Sequence, residues 1–506
     1  MDPDLLHSLS VTNRWEALLP EILLGVGAIL LLFLDLLMPR SRPRLPAVSI
    51  ALQLIAGLVL ISSMEVGNGG GTTVLFGGLL AQNATGDWMR LFLLASSIGV
   101  THLGGLFLAG RNLVKVEFHH LVLVVTASFM VLVQSHHFLL LFVALETLTI
   151  GFYILVAYRR TSRLSLEAGL KYLIMGAFSS GMLLFGITLL YGAASNPGLP
   201  ATAVNPLNFE QLGTFISASG EFYNNRTNFL VLFGAVLVLT GIAFKIGVVP
   251  FQIWIPDVYQ GAPTPVTAFL AVSSKAAGFF LLYLLLQGPF APLEFLVVPL
   301  LTVVAILTLV FGNIAALGQR NVKRVMGMSG VAHAGILLMG LLASLKVDWA
   351  FAAVLFYLVT YALASFGVFE VMAHLAGEED SDQDLDHYDD LLKKEPFLGG
   401  TLLVGLGSLA GIPPLAGFIA KLLLFYAAFQ AGMYAVLGVA LLGVVISIYY
   451  YFSWMRAAVT HNPFLEDEET PPLPTPRVPA LGARLLMGLL TAGSIILGLY
   501  QGFFSF

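Results

Sequence analysis

Apolar residues gather into runs of about 20 along almost the whole chain, separated by short polar stretches. Runs of that length are what a helix needs to cross a bilayer. Fourteen are read, at approximately 17–38, 45–64, 88–109, 118–135, 138–158, 167–192, 228–249, 263–287, 293–315, 325–344, 349–375, 397–428, 433–456 and 481–503. The fourth and fifth are parted only by Ser135, His136 and His137. The twelfth is too long for a simple span and holds Gly-Ile-Pro-Pro at 411–414. Proline removes a backbone donor and clashes with the preceding turn, so a break is expected there. A barrel is excluded, because its strands are about 10 residues long and alternate polar with apolar. The expected fold is an all-α polytopic membrane protein.

Composition sharpens this. The chain has 506 residues, 58% hydrophobic and 10% charged, against about 25% charge in a soluble domain. No long polar stretch remains for a soluble catalytic domain. The net charge of −5 and the lack of a basic patch argue against a nucleic-acid partner. With no cysteine there is no disulfide, thiolate metal site or cysteine-ligated iron–sulfur cluster. No dinucleotide motif follows a strand, so no metal or cofactor is expected in this chain. The 51 glycines suit helices that approach closely in a membrane. The first residues carry two acids and no basic stretch, so no cleavable signal peptide is expected.

Cytoplasmic loops are rich in Lys and Arg. Taking loops alternately, one side holds Arg40, Arg42, Arg44, Arg159, Arg160, Arg320, Lys323, Lys393 and Lys394, among others, and the opposite side only Arg14, Arg90, Arg226 and Lys346. Both termini then lie outside the cytoplasm. Two polar loops stand out, 196–227 and the acidic 376–396, the latter read as a solvated connector.

Four of the 24 cationic residues follow no loop: Lys171, Lys245, Lys275 and Lys421 lie inside apolar runs. An ionisable group there is expensive and marks an ion or proton pathway. Burial disfavours the charged form of lysine and a carboxylate favours it. A lysine balanced between the two exchanges a proton when its partner moves, which arginine does not do. Glu146, near the middle of the fifth run, is the natural counter-charge. The alternative is an ion pair that only fixes helix packing. Lys171 also stands four residues after Glu167, ordinary helical ion-pair spacing, and near enough to a span end to snorkel. His333 is the best-placed histidine relay, or else a hydrogen-bonded residue of a helix interface. His119, His120, His136 and His137 fall at span ends, and Glu21 and Asp35 are assigned no chemistry.

Two runs match each other. The seventh reads GIAFKIGVVPF, with Lys245 between Gly241 and Pro250; the twelfth reads GIPPLAGFIAKLLLF, with Pro413, Pro414 and Gly417 before Lys421. Each carries one lysine beside a Gly/Pro interruption. Five spans apart, they cross in opposite senses, as in an inverted-repeat transporter. The expected organisation is a three-helix region over 1–117, a five-helix repeat over 118–287 (spans 4–8), an inverted repeat over 288–456 (spans 9–13), and a linker with the last helix over 457–506. The tenth run has no carboxylate matching Glu146.

FKIGVVPFQIWIPDVYQGAPTPVTAFLAVSSKAAGF at 244–279, the run around Glu146 and GIPPLAGFIAKLLLF resemble the proton-pumping N subunits of respiratory complex I. That family includes the B subunits of photosynthetic NDH complexes and, more distantly, large subunits of Mrp cation/proton antiporters. The WIPDVYQGAPTPV segment is similar to the N type, where other antiporter-like subunits favour a WLPDAH-type sequence. The resemblance implies that Glu146 tunes Lys245, that Lys275 bridges, that Lys421 is terminal, and that Lys171 and His333 lie on a polar axis. It implies a membrane subunit coupled to NAD(P)H- or ferredoxin-driven quinone reduction, with quinone, flavin and iron–sulfur clusters in other subunits. Its partners would be antiporter-like and small membrane-arm subunits in a bacterial plasma membrane or a thylakoid. The alternative is an Mrp-type Na⁺/H⁺ or K⁺/H⁺ antiporter subunit. Loop 376–396 matches no family motif.

Overall fold

The computed structural model describes residues 12–38, 44–64, 71–109, 111, 113, 115–196, 203–218, 226–377, 380–462 and 476–499. Both chain ends, Arg40, Arg42 and part of the 457–506 linker lie outside the described residues. Twelve described helices are long and apolar enough to cross a membrane. They are Trp15–Leu37, Leu45–Ser63 and Ala84–Leu108 (spans 1–3), Phe138–Val156, Arg163–Ala194, Thr227–Ile246, Thr264–Gln287, Ala291–Leu317, Val322–Ala343 and Ala350–Leu375 (spans 5–11), then Tyr434–Val459 and Leu481–Leu499 (spans 13 and 14). Span 4 is the shorter Val116–Leu132, and span 12 is two half-helices, Pro396–Ala410 and Ala416–Gln430. Every expected span is present, and the twelfth is broken where its prolines stand.

The chain divides into two compact units: Met1–Leu155, Leu173–Ile246 and Ala276–Val298 form the first, and Val156–Tyr172, Gly247–Lys275 and Pro299–Phe506 the second.

In the first unit, spans 1–4 pack around Leu24, Ala28, Leu31, Ala56, Leu94 and Leu123. Gln53 of span 2 donates to Ser97 and Thr101 of span 3 at 2.8 and 2.9 Å, and Ser97 bonds Thr126 of span 4 at 2.6 Å. In lipid such polar groups have no water to turn to, so they pair across helices. Span 3 starts on Asn83, whose side chain accepts from Gly86 N at 2.8 Å. Ahead of it, Thr73–Leu75 and Leu80–Gln82 form a small antiparallel hairpin that no hydropathy pattern announced.

Arg90 and Glu21 depart from expectation. Read as a loop cation, Arg90 lies within span 3 with no exposed surface. It holds Glu21 through Nε and Nη2 at 2.9 and 2.8 Å and Asp87 through Nη1 at 2.8 Å. Gln134 of the span 4–5 turn also donates to Glu21, at 3.0 Å. Removing one member of a buried charge set strands the others, at about 3–5 kcal/mol. Arg90→Leu should therefore lower the thermal unfolding midpoint of the detergent-solubilised protein well below wild type.

In the second unit the acidic loop 376–396 is not a solvated connector. Asp380, Ser381, Gln383, Tyr388 and Asp389 are buried. The physical reason is that their polar groups find partners: Val322 N donates to Gln383 O at 2.8 Å, Asn321 Nδ2 to Ser381 O at 2.9 Å, and Tyr388 OH to Gln383 at 3.0 Å. Lys323, counted as a loop cation, is fully buried there too.

Candidate functional site

Each unit carries an interrupted helix beside a buried lysine. Span 7 ends at Ile246, with Gly247 at φ 71° and a cis Val249–Pro250 bond. Span 12 is interrupted by Gly411 at φ 83° and a cis Pro413–Pro414 bond. Both breaks read Gly-X-X-Pro. Only glycine adopts a positive φ freely. A helix that stops inside a bilayer leaves carbonyls that must be satisfied internally.

In the first unit, Lys245 lies in the last turn of span 7, where the helix dipole favours a cation. It is 7% exposed and donates to Thr149 Oγ1. Thr149 stands three residues after Glu146 on span 5. Glu146, half-buried, accepts from Ser180 of span 6 and is within electrostatic reach of Lys245. Lys245 thus meets the helix of Glu146 through Thr149, and the carboxylate reaches it electrostatically rather than by a direct bond to it. Spans 6 and 7 come close through Gly186, Gly234 and Gly241, each against the facing backbone or a leucine.

The second unit gathers Lys275, His333 and Lys421, which are 3, 5 and 4% exposed. Span 8 carries a π-helical segment, Leu270–Ser274, immediately before Lys275. Such a segment rotates the residues beyond it about the helix axis and is frequent at functional sites. Lys275 Nζ donates to Gly330 O on span 10 and lies 5.2 Å from the centre of the Tyr361 ring. His333, one turn further along span 10, bonds Tyr357 OH through Nδ1 at 2.6 Å and Tyr451 OH through Nε2 at 3.1 Å. Both lysines act electrostatically on His333. Lys421 donates to Leu409 O and Ala410 O at 2.7 and 3.0 Å. These are the freed carbonyls at the end of the first half-helix, so the break itself holds the lysine.

Two cavities of about 10 Å³ each touch both His333 and Lys421. Tyr357, Tyr361 and Ser408 line one, and Asn313, Ser447 and Tyr450 the other. Each is about the size of one water and has the polar walls a water needs.

A Cβ on Gly330 would stand 3.0 Å from Lys275 Nζ. Gly330→Ala should therefore displace that ammonium and lower proton flux in a reconstituted assembly, with little effect on folding.

Lys171 is separate from these groups. Its side chain is 43% exposed and pairs with Glu167 and Asp257, both at 2.6 Å. Asp257 also takes Arg324 at 2.7 Å. Burial pushes the Asp257 carboxyl up, but Lys171 and Arg324 outweigh it and hold the group below its ordinary value.

Sequence reasoning missed several residues here. Tyr357 and Tyr361, four apart on one face of span 11, were the available signal for a polar wall. Glu370, fully buried in the same span, was not singled out. His119, expected at an interface, is fully buried against the edge of Phe118.

Comparison with known proteins defines the class. The family described as NADH:quinone oxidoreductase/Mrp antiporter, transmembrane, matches residues 135–447. The chain belongs to this family. It is 54% identical over 498 residues to the NADH-quinone oxidoreductase subunit N 1 of Opitutus terrae, covering 98% of this chain and 97% of that one. A chain of respiratory complex I from Thermus thermophilus superposes with a TM-score of 0.76 at 31% identity, over 96% of this chain and 98% of that one. A chain of the Mrp complex from Dietzia shares the fold, with a TM-score of 0.77 at 20% identity over 96% and 94%.

Proposed function

We propose that this chain is the N-type, proton-translocating membrane subunit of an NAD(P)H- or ferredoxin-driven quinone oxidoreductase. The observation that carries the reading is the set of buried lysines, Lys245, Lys275 and Lys421, each held by a hydroxyl or carbonyl beside an interrupted or π-distorted helix. Identity to the Opitutus terrae subunit over nearly the whole chain supports it. The chain performs no redox step. Quinone, flavin and iron–sulfur clusters belong to neighbouring subunits, and the chain's partners are antiporter-like and small membrane-arm subunits. The host is a bacterial plasma membrane, with both termini on the non-cytoplasmic face. Residues 118–287 and 288–456 act as the two inverted repeats.

The step is electrostatic. A unit-charge contact at about 4 Å is worth about 4 kcal/mol at an effective dielectric near 20. Neutralising or withdrawing Glu146 weakens its attraction for Lys245 and favours release of that proton. Lys275 receives the proton, and His333 and the single-water cavities relay it to Lys421. Lys171, exposed and doubly paired, is a further relay residue of the polar axis.

The fold shared with the Dietzia Mrp chain keeps a second reading in view, a cation/proton antiporter subunit. Purification in mild detergent separates them. Co-elution with quinone-reductase subunits is expected; elution in a small assembly with sodium- or potassium-dependent proton exchange would favour the antiporter.

A further inference from the structure

A buried ion pair that the proton path does not use ties the acidic loop to the helices carrying Lys275 and His333. Asp380 and Lys323 have side chains 4 and 0% exposed and meet at 3.1 Å. Asp380 also accepts from Thr264 N at 2.7 Å, Thr264 Oγ1 at 2.8 Å and Gln383 Nε2 at 3.1 Å. Lys323 Nζ donates in addition to Ala262 O at 2.6 Å. Thr264 is the first residue of span 8, so the carboxylate caps a helix N-terminus, where negative charge is favoured. Lys323 lies in the first turn of span 10. One side chain from a loop thus fixes the starts of two helices.

The same two helices meet again at the Lys275–Gly330 contact. Lys275 is about 16 Å along span 8 from Thr264, and Gly330 about 10 Å along span 10 from Lys323, at 1.5 Å per residue. Helical side chains lean back toward the N-terminus, and a lysine doing so spans that difference. The height at which Lys275 meets span 10 therefore depends on how the two starts are registered. A buried ion pair adds little net stability over apolar residues of similar size, and its best-attested use is to fix register.

We propose that Asp380 is a positioning residue that registers span 8 against span 10, so that the Lys275 ammonium meets Gly330 O and remains beside His333. The proposal rests on the proton-path reading above.

The test uses the assembled complex in sealed vesicles, reading protons moved per electron together with quinone reduction. Asp380→Asn keeps the shape but removes the charge and replaces one of the two acceptor oxygens with a donor. The double variant Lys323→Met/Asp380→Leu removes the pair without stranding a charge. Both are expected to reduce quinone at wild-type rates once uncoupled and to lose protons per electron. A wild-type ratio in either overturns the proposal, because a purely stabilising pair predicts that outcome for the double variant. Should both fail to assemble, Thr264→Val decides. It keeps the ion pair and deletes only the hydroxyl bond; a reduced ratio supports the proposal and an unchanged one overturns it. Lys245→Ala in the same vesicles is the control. Normal pumping there would remove the function itself, whereas normal pumping in the Asp380 variants removes only the register.

Discussion

Replacing Lys245 with alanine is expected to abolish proton translocation through this chain while uncoupled quinone reduction in the surrounding complex continues. The lysine is 7% exposed, sits in the last turn of an interrupted helix and bonds Thr149. Alanine leaves Glu146 without that cation and removes the lysine of span 7 that could exchange a proton. The side chain is buried in protein, so assembly of the variant is checked alongside. Lys245→Arg is the sharper companion. It keeps the charge but cannot release it at accessible pH, and should be as defective in pumping as alanine. Proton uptake by sealed vesicles, compared with quinone reduction, checks both. Undiminished pumping in Lys245→Ala would sink the proposed function.

The second large effect concerns backbone contact at the break in span 12. A Cβ on Gly417 would stand well under 3.0 Å from Ser408 O, and one on Gly498 of span 14 equally close to Pro414 O. In both places the obstacle is main chain, which cannot swing aside as a side chain does. Gly417 N also donates to Ser408 Oγ at 3.1 Å. Gly417→Ala should force the half-helices apart and cost about 3 kcal/mol, at the upper end of ordinary overpacking. It should also draw Lys421 away from the Leu409 and Ala410 carbonyls. The expected results are a lower unfolding midpoint and, in whatever assembles, weakened pumping. Wild-type stability and flux in Gly417→Ala would show that the break is softer than described. Gly498→Ala should reproduce the stability loss without moving the lysine directly.

A smaller effect is tied to pH. Burial pushes the Asp380 carboxyl up, but Lys323 and the Thr264 donors hold it below its ordinary value. A carboxylate depressed on folding stabilises above its unfolded value, about 3.9, and that contribution disappears as pH falls through the folded value. The stability gap between wild type and Asp380→Asn should be constant from neutral pH to about 4 and shrink below it. Thermal unfolding across that range is the check.

The spans, the break in the twelfth and the buried lysines were legible because each is a local signal: an apolar run, a proline pair, a charge with no loop to belong to. Partners were not legible. Glu21 finds Arg90 across 69 positions, Lys245 finds Thr149 across 96, and Lys323 finds Asp380 across 57. Nothing in a hydropathy profile encodes those meetings. Loop 376–396 was misread for the same reason, since acidic residues beside a membrane suggest water until a buried lysine is found to receive one. Lys171 is divided: its pairing with Glu167 follows from the spacing, whereas Asp257, 86 positions away, has no local signal.

The two cavities beside His333 and Lys421 bear on how the protein behaves at rest. Each has room for about one water, too little for a continuous wet thread. Those two cavities by themselves form no wire between His333 and Lys421. A membrane charged to about 100 mV stores about 2.3 kcal/mol per proton held back. An idle assembly with such interiors would keep that charge instead of leaking it, and would conduct only in the moments when packing loosens.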